Sequence, residues 1–209
     1  MHQLQAILTT TVLLCTGVFA GEAHKRLYLQ KGISLEIPRS FQLLSDNKKI
    51  DLTAFADTLY DDGPRLNVLN LAANHYDDEG HTDSLVNLRF YPKNPYSQMH
   101  PKVLRYLDDE LKELELSTMK EIYNSTNSIP GMKITEWNGV SVQEIGGLMA
   151  VVTDYRRSIK GDSSRVRLIM FHNLKDSFHM TISYDDKEDD SFMLKAITDG
   201  IVNSLSVSR

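Results

Sequence analysis

The stretch from 148 to 184 constrains the fold of this chain more than any other part of its sequence. Three segments rich in β-branched and aromatic residues, Leu148–Ile159, Val166–His172 and Phe178–Tyr184, are separated by short polar turns, one of them at 161–164. Short polar turns between strand-forming runs are typical of antiparallel neighbours. The sequence therefore predicts an antiparallel meander of three strands at the centre of a sheet.

Shorter strand-like segments lie outside this meander, at Gly32–Pro38, Leu66–Tyr76, Ser84–Tyr91, Met132–Trp137 and Val140–Ile145. A polar turn around residues 77–83 separates Leu66–Tyr76 from Ser84–Tyr91. The last two flank Asn138 and Gly139, a pair that tolerates positive φ and is a strong signal for a hairpin turn. We therefore predict two further hairpins.

Helical periodicity appears between these runs and at the end of the chain. A long helix is predicted from about 97 to 124, a short one after Asp51, and a last one capped by Asp189 or Asp190. The apolar stripe of the last helix comprises Met193, Ala196, Ile197, Ile201 and Leu205. Antiparallel runs with inserted helices predict an α+β fold, a mixed, mostly antiparallel sheet covered by helices.

The first twenty residues have the pattern of a secretory signal. An apolar run from Ala6 to Val18 is too short to span a membrane, and small residues precede a cleavage site at Ala20, with Ala23 as a second possible site. We therefore expect a signal peptide at 1–20, one domain at 21–209, and a periplasmic or secreted protein. Cys15 is the only cysteine, so the mature chain is expected to have no disulfide, thiol nucleophile or thiolate metal site.

The charge balance narrows the choice of partners. With 23 Lys and Arg against 28 Asp and Glu, the formal net charge of the 209 residues is −5. A mildly acidic surface argues against binding to nucleic acid through its phosphates. No segment of the mature chain approaches the length of a membrane helix. We expect the partner to be another envelope or extracellular protein.

The order of elements resembles the PsbP-like group of α/β proteins. The matching segments are Gly32–Pro38 followed by Phe41, the meander from 148 to 184, and the closing helix with Ile201–Val207. This group includes an extrinsic photosystem subunit, a small nuclear Ran-binding protein and bacterial DcrB-like exported proteins. The resemblance implies an αβα sandwich and an accessory or interaction role, and it implies no particular site residue.

One turn offers candidate metal ligands. Asp77, Glu79, His81 and Asp83 stand at alternate positions, and their oxygen and nitrogen atoms are ligands for divalent cations. The turn lacks the twelve-residue calcium pattern, and a solvated acidic hairpin turn is the favoured interpretation. We therefore expect no bound cofactor.

Other charged residues have structural and functional interpretations. Arg156, Arg157, Arg165 and Arg167 lie on neighbouring predicted strands, where they form either an anion site or cross-strand pairs with acids. His172 and His179 flank a short turn and give a weak metal signal without a third ligand. The acidic run at 185–190 either begins a helix or docks a basic partner.

The sequence carries no recognised catalytic motif. It has no Gly-x-Ser-x-Gly, no His-Glu-x-x-His and no phosphate-binding glycine loop. The leading hypothesis is therefore an exported noncatalytic binding or accessory protein rather than an enzyme. The alternatives are a carrier of a small apolar ligand, held between the long helix and the sheet, and an unrecognised metal-dependent hydrolase.

Overall fold

The computed structural model describes residues 23–57, 69–91, 108–173, 176–187 and 191–208. The predicted signal peptide and its cleavage site at Ala20 lie outside these residues, as do Asp189 and Asp190. None of the helices in the described ranges has both the length and the apolar character needed to cross a bilayer.

The described residues form ten strands and three α-helices. The strands are β1 His24–Tyr28, β2 Ile33–Pro38, β3 Gln42–Leu43, β4 Leu71–Tyr76, β5 Thr82–Tyr91, β6 Met132–Ile145, β7 Leu148–Ile159, β8 Asp162–Asn173, β9 Asp176–Asp185 and β10 Ser206–Val207. The helices are α1 Asp46–Asp57, α2 Asp108–Asn127 and α3 Ser191–Asn203.

The strands form two sheets. The larger has seven strands in the order β3-β4-β5-β9-β8-β7-β6, and the smaller has the order β1-β2-β10. Every pairing among the described strands is antiparallel. The predicted α+β fold with a mostly antiparallel sheet is confirmed, whereas the short strands β1, β3 and β10 were not predicted.

The meander of β7, β8 and β9 is present and longer than predicted. Lys160 and Gly161 have φ angles of 51° and 106°, so a tight turn joins β7 to β8. Positive φ at both residues of a turn matches the right-handed twist of the strands that it joins. As a result residues 162–164, which the sequence placed in the turn, pair with β7.

The predicted hairpin at Asn138 and Gly139 is wrong. Residues 132–145 form one strand, β6, and both of its halves pair with β7. The register shifts between Trp137 and Gly139, where Gly139 has a φ of 98°. The Asn-Gly pair therefore makes a β-bulge, in which positive φ bends a strand without reversing it. The chain reverses at Gly146 and Gly147 instead.

Two predicted helix details also need correction. α1 begins at Asp46 rather than after Asp51, because Ser45 Oγ accepts a hydrogen bond from the backbone N–H of Lys48 and caps the helix. In α3, Met193 is exposed and Ala196 also lies on the exposed side. The buried stripe of α3 consists of Leu194, Thr198, Ile201 and Val202.

The large sheet has two differently covered faces. We call one the core face, which carries Val86, Val152, Ile169 and Met180, all at most 1% exposed. The small sheet and α3 cover it, and together they form the main apolar core. We call the other the α2 face, because Ile122 of α2 packs there in a smaller apolar cluster. The two faces follow from the period of two along each strand.

Candidate functional site: a groove between α2 and the sheet

α2 covers only part of the α2 face. Ile122 packs against Tyr155 and Val166, and Trp137 Nε1 donates a 2.9 Å hydrogen bond to Glu115 Oε1. These contacts fix α2 near β6, β7 and one end of β8. Between α2 and the remaining part of the sheet lies a groove of about 540 Å³.

The floor of the groove is made of two rows of cross-strand neighbours. In the first row Arg89 of β5 lies beside His179 of β9, which lies beside Met170 of β8. In the second row the neighbours run from β5 to β7 and are Asn87, Thr181, Leu168 and Thr153. Because alternate residues of a strand share a face, both rows point toward α2.

The floor changes from polar to apolar between β9 and β8, and Thr153 of β7 adds one hydroxyl at its far end. The strands β5 and β9 contribute Arg89, Asn87, His179 and Thr181 to one side. The strand β8 contributes Leu168 and Met170 to the other. A ligand in the groove would therefore meet a cationic and hydrogen-bonding side and an apolar side.

The roof of the groove is one stripe of α2. Its members recur at helical spacing and are Leu114, Ser117, Thr118, Glu121, Ile122 and Ser125. The stripe is mixed in character, since two large apolar residues stand among hydroxyl groups and one carboxylate. Such a mixed stripe buries few side chains, and the buried residues of α2 are Ile122 and Thr126.

One polar atom at the floor lacks a partner. Thr153 is 1% exposed, and its Oγ1 has no hydrogen-bond partner among the described residues. A buried hydroxyl without a partner is unfavourable, so such groups are few in folded proteins. It stands at the far end of the second row, where Leu168 is its neighbour on β8.

The acidic turn has a different geometry from a metal site. Asp77 Oδ1 accepts hydrogen bonds from the backbone N–H groups of His81 at 2.8 Å and Glu79 at 3.0 Å. The bond from His81, more than that from Glu79, lowers the pKa of Asp77 below its usual value. His81 Nδ1 lies 3.6 Å from Asp77 Oδ2 and 3.5 Å from Glu79 Oε2, and the histidine side chain is 74% exposed. The turn is thus held by its own backbone.

The fourth candidate ligand of the turn is engaged elsewhere. Asp83 Oδ1 lies 2.7 Å from His75 Nδ1, and both side chains are largely buried. The ring of His75 also packs at 5.4 Å from that of Phe41. Across the described ranges no group of three or more His, Asp or Glu side chains is arranged to hold a metal ion.

The acidic turn and the start of the second acidic run meet at one end of the sheet. Burial raises the pKa of Asp185, and Lys187 opposes this shift. Three nearby carboxylates add to the rise, those of Asp83, Asp162 and Asp77. This convergence was not visible in the sequence, because the two segments are about 100 residues apart.

The four arginines divide between the two faces. Arg156 and Arg165 are direct cross-strand neighbours on the core face, and Arg157 points to the other face. Arg156 is paired with Glu136 and Asp186. Arg167 lies between two carboxylates, with Nε 3.1 Å from Asp154 Oδ1 and Nη1 3.0 Å from Asp199 Oδ1. Of the two interpretations offered by the sequence, cross-strand pairing with acids accounts for Arg156 and Arg167.

Sequence reasoning missed most residues of the groove. Arg89, Asn87 and Thr181 were not singled out, and His179 was considered only with His172, whose direct neighbour on β9 is Ser177. A signal was present, because the helical stripe of α2 mixes hydroxyl groups with leucine and isoleucine. The groove side of the sheet shows no such signal, since its residues come from four strands.

No protein-family model matches this chain. No curated protein matches it either. Among solved structures, the solution structure of cyanobacterial PsbP (CyanoP) from Synechocystis sp. PCC 6803 aligns with a TM-score of 0.54. The alignment covers 93% of this chain and 97% of that one at 12% sequence identity. The fold is PsbP-like.

Two further structures align with this PsbP-like fold at lower scores. LpqN, involved in cell envelope biogenesis of Mycobacterium tuberculosis, has a TM-score of 0.41 and 12% identity over 90% of this chain and 91% of its own. A point mutant of the protein Mog1 has a TM-score of 0.41 and 10% identity over 88% of this chain and 96% of its own. At 12% identity the alignment with CyanoP concerns the fold, and at that level it confirms the PsbP-like resemblance expected from the sequence.

Proposed function

We propose that this protein is an exported, noncatalytic binding protein and that the groove between α2 and the sheet is its binding site. The observation that carries the proposal is the groove itself, a concave site of about 540 Å³ with both polar and apolar walls. Ligand sites of proteins are commonly clefts of about 300–1,000 Å³ with a few placed polar groups. The buried, unpartnered hydroxyl of Thr153 supports the same interpretation.

Export is supported by the apolar leader at 1–20, whose pattern is that of a removable secretory signal. A mass measurement on protein recovered after expression of the full chain tests this part of the proposal. We expect the exported protein to begin after Ala20. Uncut protein retained in the cytosol would contradict export.

Binding is tested with two fluorescent probes that brighten in apolar sites. One is 1-anilinonaphthalene-8-sulfonate, which is anionic, and the other is N-phenyl-1-naphthylamine, which is neutral. We expect at least one of them to bind with one site per chain. Because the protein is proposed to be noncatalytic, mass spectrometry should recover the probe chemically unchanged.

A matched pair of tryptophan variants locates the site. Ser117→Trp places a bulky ring in the groove, whereas Leu116→Trp places the same ring on the opposite, exposed side of α2, where Leu116 is 62% exposed. We expect the first variant to lose probe binding and the second to retain it. Equal binding by both variants would refute the groove as the binding site.

A second candidate function is binding to a partner protein. Phe192 and Met193 stand side by side in the first turn of α3 and are 82% and 53% exposed. Adjacent exposed apolar side chains favour protein contacts, although single ones are common on surfaces. Phe192→Ser with Met193→Ser should abolish co-purification with an envelope partner, and unchanged co-purification would contradict this candidate.

A further inference from the structure

We propose that the ligand of the groove is an amphipathic organic anion, with its anionic group at Arg89 and its apolar body between Met170 and α2. This inference rests on the proposed function, because it assigns a ligand chemistry to the same site. Three observations carry it: the order of residues along the floor, the charge of Arg89 and the length of the groove.

The polar side of the floor favours an anion. The ion pairs found in the described ranges do not involve Arg89, although guanidinium groups suit carboxylate and sulfonate oxygens in two-bond geometry. His179 is its direct neighbour on β9, and Asn87 adds an amide two residues away. An anionic group placed here meets the guanidinium of Arg89 and the amide of Asn87 on the same strand.

The remaining floor favours an apolar body. Met170 and Leu168 follow on β8, and Leu114 and Ile122 of α2 line the groove from the other side. The second row of the floor crosses three strand spacings from Asn87 on β5 to Thr153 on β7, or roughly 14 Å. This distance accommodates an extended chain of the length of decanoate.

One carboxylate opposes an anionic ligand. Glu121 of α2 lines the groove, and its side chain is exposed. Water screens an exposed charge, so Glu121 weakens binding of an anion without preventing it. Glu121 therefore tests the sign of the ligand's charge. Glu121→Gln should strengthen binding of an anion and leave binding of a neutral analogue unchanged.

The experiment compares decanoate with 1-decanol by titration calorimetry, below the concentrations at which either associates with itself. We expect decanoate to bind one per chain and about tenfold or more tightly than decanol, because it forms charge-assisted hydrogen bonds with Arg89. Arg89→Gln should remove this preference, and Arg39→Gln, at an exposed site in a turn, should preserve it. Met170→Gln should weaken both ligands alike.

The outcomes separate this inference from the proposed function. One outcome is that decanoate and decanol bind equally, that Arg89→Gln changes neither affinity, and that Ser117→Trp blocks both. This outcome would overturn the assignment of an anionic ligand but keep the groove as the binding site. Decanoate binding that survives in Ser117→Trp would overturn the assignment to the groove. Failure of decanoate, decanol and both fluorescent probes to bind would overturn the inference and the proposed function together.

Discussion

Replacement of Thr153 by valine should stabilise the ligand-free protein. Thr153 is 1% exposed on β7, and its Oγ1 has no hydrogen-bond partner among the described residues. Valine has nearly the same shape and suits a strand, so Thr153→Val removes a buried, unpaired hydroxyl and leaves no cavity. A substitution that removes a side-chain polar group usually destabilises a protein, which makes this direction diagnostic.

The expected magnitude follows from the cost of an unpaired polar group. Burying one without a partner costs about 1–3 kcal/mol, and part of this cost is recovered when the group is removed. We therefore expect the free energy of unfolding to rise by about 1 kcal/mol. In a protein of this size, that change raises Tm by about 2–4 °C.

Thr198 of α3 provides the matched control. It is 2% exposed, but its Oγ1 donates to the backbone oxygens of Leu194 at 2.8 Å and Lys195 at 3.0 Å. Thr198→Val should lower the free energy of unfolding by about 1 kcal/mol, because it removes a satisfied hydroxyl. Both variants are measured by urea unfolding and by calorimetry. Destabilisation by Thr153→Val would refute the reasoning, since it would mean that the hydroxyl has a partner in the folded protein.

Three further predictions concern the frame of the fold. Gly146→Ala should lower the free energy of unfolding by about 3 kcal/mol or more, because the added Cβ would lie 2.2 Å from the backbone oxygen of Leu205. The control Gly147→Ala has open space around its Cβ at a φ of 77° and should lower this free energy by about 1 kcal/mol, both measured by urea unfolding. Arg167→Met should cost about 2 kcal/mol by the same assay, since it leaves Asp154 without this cation and Asp199 with Lys195 alone, and a change below about 0.5 kcal/mol would contradict this. Asp185→Asn should raise Tm at pH 7, because the pKa of Asp185 is raised in the folded protein and the ionised carboxylate therefore lowers the stability of the wild type at that pH. The gain in Tm should vanish below about pH 3, where the carboxyl group is protonated in both states, and a lower Tm at pH 7 would refute the prediction.

The strand meander was the part of the fold that the sequence specified best. Alternation of apolar and polar residues is a local property, so β7, β8 and β9 were predicted with correct order and direction. The bulge at Gly139 was not, because Asn-Gly permits positive φ both in a turn and in a bulge. Only the pairing of both halves of β6 with β7 distinguishes the two structures.

The candidate site was predicted less well than the fold. One alternative from the sequence placed a small apolar ligand in an internal apolar cavity between the long helix and the sheet. A groove lies there, but its walls are polar as well as apolar. The sequence did not identify Arg89 or Thr181, because the pairing of β5 with β9 joins residues about 90 positions apart. It also grouped Asp83 with the acidic turn, whereas the folded chain pairs this carboxylate with His75.

By itself the sequence determined the antiparallel meander, the helical period of α2 and the α+β class, because each depends on spacing within a short segment. Only the tertiary structure decided that β5 lies beside β9 and that α2 packs on only part of one face. Strand order depends on which apolar faces can be buried together across the whole chain, and that choice places a cation, several hydroxyl groups and an apolar wall around one groove.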